Sequence, residues 1–149
     1  MKTLVLGLGN LLLADEGVGV HAAHVLAELL QDENVCIVDA GTAVLDVLPQ
    51  IEEADQMIVI DACKGGAKPG TIYSFSLDEC AEKEFMGSLH GFNLQHVLAL
   101  TGRTTELPVT VIGIEPYRIE WSLDLTPEVA VMVPKVVEIV IELITASAA

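Results

Sequence analysis

The chain has 149 residues, enough for one domain with one sizeable core. Hydrophobic residues make up 52% and charged residues 19%, which excludes a disordered chain, and no apolar run reaches the roughly 18 residues that cross a bilayer. The net charge of −15, from 22 acidic against 7 basic residues, excludes nucleic acid and anionic membrane surfaces as natural partners and favours a cation or a basic peptide.

Residues 3–8 form a near-continuous apolar run, the pattern of a strand buried on both faces. With Lys2 ahead of it the run also invites a signal-peptide reading. Gly7, Gly9 and Asn10 interrupt it, and no small-x-small cleavage site follows, so the cytoplasm is the expected location. Apolar positions at Val18, Ala22, Val25, Leu26, Leu29 and Leu30 predict a helix over 17–31. A short strand follows at 35–39, with Cys36 expected in the core. A short helix is predicted at 43–53, with Pro49 as a bend or terminus. Residues 56–61 read as a third buried strand, and 64–70 as a loop by its glycines and proline. Residues 71–77 alternate, which favours an antiparallel edge strand.

A helix over 90–101 and a buried strand over 109–115 come next. The last element is a helix over 127–145, with Thr126 as N-cap, Pro127 at the first helical position and a kink at Pro134. Alternating β and α segments predict a single α/β domain over 1–149: a three-layer, twisted, mostly parallel sheet with helices on both faces and one antiparallel edge strand. Cys36, Cys63 and Cys80 lack CxxC spacing, so neither a disulfide framework nor a thiolate zinc site is expected.

Ligands of such folds sit outside the C-terminal ends of the strands. Glu16 and its neighbour Asp15 follow the first strand, Asp39 ends the second and Asp61 the third. His90 precedes the helix at 90–101. A cluster of carboxylates is costly unless a cation, a proton or separation relieves it. Glu16, Asp61 and His90 form the best ligand set: two carboxylates and an imidazole, suited to nickel or zinc, with positions left open. Spacing alone leaves this as one candidate, because a strand-end Asp also serves as a helix cap.

Gly7-x-Gly9 with Asp39 mimics a dinucleotide fingerprint, but Leu12 stands at the third glycine position. Asp15 and Glu16 also occupy the helix N-terminus that a pyrophosphate needs. His21 and His24 read as a solvated helix face, with His24 able to pair with Glu28. His96 reads as helix surface, and Phe92, Tyr117 and Trp121 as core or rim packing.

The segments GLGNLLLADEGVGV, VDAGTAV, VIDACKGGAKPG, SLHGFNLQHVL and VIGIEP resemble, in order and spacing, those of the nickel–iron hydrogenase maturation endopeptidases. The resemblance covers about residues 3–145, and the opening block is its most specific part. It implies removal of a short C-terminal peptide from the precursor of a hydrogenase large subunit, after nickel insertion. It places the family's metal positions on Glu16, Asp61 and His90, with Asp39 in a DAGT turn as a candidate general base. Val44 stands where some members have glycine. The nickel is expected to be the substrate's own ion, with zinc or another divalent metal able to substitute in vitro. Three mechanisms stay open: nickel as a recognition device, a metal that polarises the carbonyl or activates water, and an aspartic-type route that leaves His90 without a role. A non-cleaving metal-dependent binding protein and a nucleotide-binding enzyme are the alternative functions.

Overall fold

The computed structural model describes residues 1–77, 79, 84–85, 94–103 and 106–148. Strands β1 (Thr3–Leu8), β2 (Val35–Gly41), β3 (Gln56–Lys64), β4 (Ile72–Ser76), β5 (Glu84–Phe85) and β6 (Val109–Ile114) build one sheet. Its order is β2-β1-β3-β6-β4, with β5 paired to β3. The β1–β2, β1–β3 and β3–β6 pairs are parallel. β4 runs antiparallel to β6 at the edge, as its alternating sequence predicts. β5 adds a second antiparallel pair, Cys63 with Phe85 and Lys64 with Glu84. That pairing gives hydrogen-bond partners to the end of β3, which therefore runs three residues past the predicted Asp61.

The helices are α1 (Val18–Leu29), α2 (Leu48–Glu53), α3 (Leu94–Thr101), α4 (Pro127–Ala130) and α5 (Val133–Ala148). Val5, Ile58, Ile60, Ile112 and Ile114 face one layer, packed by Val18, Ala22 and Leu26 of α1 and by the valines of α5. Leu4, Leu6, Met57, Val59 and Val111 face the other, packed by Ile51 of α2 and by Leu94, Val97 and Leu98 of α3. The strands are apolar on both faces because both are covered. Each fully buried Leu or Ile contributes about 1.5–3 kcal/mol.

Three expectations change. The predicted C-terminal helix is two helices, because Pro134 has no N–H to give and its ring crowds the carbonyl four residues back. It sits instead in the first turn of α5, which continues through Ala148 with Ser147 Oγ bonded to the Leu143 carbonyl. The helix predicted over 43–53 is a 3₁₀ turn, Val44–Val47, followed by α2, with Pro49 in the first turn of α2, at a helix terminus as expected. Cys36 is exposed, since β2 is an edge strand, whereas Cys63 is buried. Cys80 lies outside the described residues. Among the described residues no helix is long and apolar enough to cross a membrane.

Candidate functional site

The turn after β1 is built by close backbone approach. Gly9 has φ +127°, and a side chain there would overlap the Glu16 carbonyl oxygen. A side chain at Gly7 would strike Gly19 and Ala23 of α1, and one at Gly19 would strike the Ile60 and Leu8 carbonyls. The glycines thus let the N-terminus of α1 press onto the ends of β1 and β3. No dinucleotide cradle results: a 3₁₀ turn, Ala14–Gly17, fills the space and carries both acidic residues. Ala14 takes φ +50° to enter that turn, a left-handed conformation that an L-residue rarely adopts.

Asp15 and Glu16, adjacent in sequence, do different things. Asp15 is wholly buried and acts as an anchor. Its Oδ2 accepts the Tyr117 N–H at 2.9 Å, the Arg118 N–H at 3.0 Å and the Thr126 hydroxyl at 2.7 Å; Oδ1 accepts the Thr126 N–H at 2.8 Å. Thr126 stands at the N-cap of α4 as predicted, but its hydroxyl serves Asp15 and makes no side-chain cap bond. Glu16 is 1% exposed, and its turn packs directly against β3, the strand that carries Asp61. Asp61 is also wholly buried. Two buried carboxylates are thereby delivered to the adjoining ends of β1 and β3. His90 lies outside the described residues. Among the described residues no three His, Cys, Asp or Glu side chains form a metal-holding group.

Asp39 goes elsewhere. It is the register partner of Gly7, as is Ile60. Alternation then puts Asp39 on the α1 face and Asp61 on the opposite one. There Asp39 Oδ2 is 2.9 Å from His24 Nε2, and both groups are substantially exposed. His24 therefore meets Asp39, not Glu28. His96 is exposed on α3, in line with helix surface. His21 is partly buried, and burial, then the charge of His24, holds its pKa below the ordinary value. Val44 is buried among the residues packed on α2.

Sequence reasoning missed Glu115 and Tyr73. Glu115 Oε1 accepts the Gly65 N–H at 2.9 Å, the Ala67 N–H at 3.1 Å and the Tyr73 hydroxyl at 2.6 Å. Burial and then this bond to Glu115 raise the Tyr73 pKa. The loop after β3 is thereby pinned beside the end of Asp61's strand. Across the sheet Asp61, Gly113 and Tyr73 form one row, and a side chain at Gly113 would strike Cys63. The signal was present in the sequence as a lone Glu ending an apolar strand. Tyr117 and Trp121 are not core residues: they are 50% and 80% exposed. Phe92 lies outside the described residues.

Known proteins share this fold. The family model described as hydrogenase maturation protease matches residues 20–143. The HupD hydrogenase expression/formation protein of Rhizobium leguminosarum bv. viciae is 37% identical over 145 residues, covering 92% of this chain and 71% of that one. The chain spans between 64% and 71% of the length of this and two further HupD relatives. The hydrogenase maturating endopeptidase HybD from E. coli superposes with a TM-score of 0.85 at 31% identity, covering 99% of this chain and 94% of that one. The [NiFe] hydrogenase maturation protease HybD from Thermococcus kodakarensis gives 0.80 at 31% identity, covering 96% and 99%. The chain belongs to the hydrogenase maturation protease family, a family of hydrolases.

Proposed function

We propose that the chain is a cytoplasmic endopeptidase that removes a short C-terminal peptide from the nickel-loaded precursor of a nickel–iron hydrogenase large subunit. The observation that carries this reading is the burial of Glu16 and Asp61 at adjoining strand ends, in a chain of this family. A buried carboxylate is costly as a bare anion, and a cation beside the pair relieves that cost. Their oxygens, with the His90 imidazole, fit a borderline divalent metal such as nickel, with zinc as a substitute in vitro. The nickel is the precursor's own. Its capture by these side chains holds the scissile peptide at the rim of the sheet, and orientation supplies much of the rate. Asp39 is the proposed proton acceptor: it stands near the C-terminal end of β2, at the same end of the sheet, and approaches the peptide from the α1 face, opposite Asp61, with its Oδ2 2.9 Å from His24 Nε2.

Mass spectrometry of the precursor tests this. Glu16→Gln, Asp61→Asn and His90→Ala each slow trimming by about 100-fold or more, with folding retained. Asp39→Asn slows turnover without weakening precursor binding. The nickel-free precursor stays uncut. Full trimming by the Glu16→Gln, His90→Ala double variant would overturn the site, and equal cleavage of both precursor forms would overturn the recognition role.

A further inference from the structure

The segment between β6 and α4 carries side chains that the core does not use. Trp121 is 80% exposed and Leu123 60%, and Leu12, in the turn after β1, is 51% exposed. They are held, not dangling. Ser122, between Trp121 and Leu123, donates its N–H to the Leu12 carbonyl at 2.9 Å and accepts the Ala14 N–H at 2.8 Å. Asp15 fixes Tyr117, Arg118 and Thr126 on either side. A chain whose buried carboxylate fixes the segment bearing an exposed tryptophan presents a rigid aromatic anchor, the kind that dominates protein interfaces.

We infer that Leu12, Trp121 and Leu123 form the docking surface for the precursor protein, an inference that rests on the function proposed above. Continuity with the candidate site is the first argument. Leu12 lies four residues before Glu16, in the Asn10–Leu13 turn that leads into the 3₁₀ turn carrying it, so a protein seated on the patch is held at the rim that receives the scissile peptide. Charge is the second. The exposed acids of the same segment are Glu120 and Asp124. Its one cation, Arg118, is spent within the segment: NH1 lies 3.8 Å from Glu120, and the guanidinium lies over the Tyr117 ring at 5.2 Å. The net charge of −15 has the same sign. The face that fits is therefore apolar at its centre and basic at its margin, which also sets a salt-dependent association rate.

The test is steady-state trimming of the nickel-loaded precursor by the full chain, with binding measured on the Asp39→Asn variant. Trp121→Ser with Leu123→Ser raises KM at least tenfold, changes kcat less than twofold and leaves the melting temperature unchanged. Glu120→Lys with Asp124→Lys raises KM and flattens its salt dependence. A wild-type KM in the Trp121→Ser, Leu123→Ser variant would overturn the docking surface while leaving the endopeptidase reading intact. Normal trimming by Glu16→Gln would overturn the site and not the surface. A dimer in sedimentation that the same serine pair dissolves would assign the patch to a second copy of this chain and overturn the inference.

Discussion

At the scale of single residues, Gly9 decides where Glu16 stands. Its φ of +127° is open to glycine, and a methyl there meets the Glu16 carbonyl. Gly102, at φ +70°, has nothing within 4 Å of the place a methyl would take, and serves as the control. Gly9→Ala should lose about 2 kcal/mol or more, from backbone strain together with displacement of the turn. Gly102→Ala should lose about 1 kcal/mol, from conformation alone. Urea midpoints check both; equal losses would show that close approach to Glu16 is not what Gly9 supplies. The glycine turn and its acidic pair were legible in the sequence, but the division of labour between Asp15 and Glu16 was not. Two adjacent carboxylates look alike in one dimension. They are told apart by the N–H groups of residues 117, 118 and 126, about a hundred positions downstream.

Among the elements, the covered strands were legible because β1, β3 and β6 are buried on both faces and must be apolar throughout. The edge strand β4 showed its alternation. What could not be read was pairing at a distance: β5 extends β3, and Glu115 at the end of β6 fixes the loop after it. The face of Asp39 also escaped, since it follows from register with β1 and not from its own segment. Glu115 gives an element-scale prediction. Hydrogen bonds to a charged group contribute about 1.5–3 kcal/mol each, and removing the acceptor strands two amides and a phenol. Glu115→Ala should therefore cost about 2–4 kcal/mol. Amide exchange at Gly65 and Ala67 should accelerate while the β1–β3 ladder stays protected. Unchanged exchange at those two amides would mean that the loop is fixed by other contacts.

For the whole molecule, acidification acts in two opposed ways. The net charge of −15 repels itself, and protonating carboxylates relieves that repulsion near the sequence pI of about 4.3. Histidine titrates earlier, around pH 6.5 in an unfolded chain. His21 lies on α1, facing the segment that bears Trp121. Burial and the neighbouring His24 lower its pKa, against a bond with the Leu123 backbone and the charge of Asp124. Its Nε2 is buried and has no hydrogen-bond partner among the described residues. Below pH 6.5 the unfolded chain therefore binds more protons at this position than the folded one. Linkage then makes stability rise with pH through that window and fall as pH drops from about 7 towards 5.5. The bulk charge effect has the opposite sign but sets in lower, among the carboxylates. A difference between two chains separates them: wild type and His21→Gln share every carboxylate. Urea unfolding at pH 7.5 and 5.5 should show the wild type losing more stability on acidification than His21→Gln. Identical losses would show that His21 is solvated in the folded state, and that the segment carrying Trp121 does not cover it.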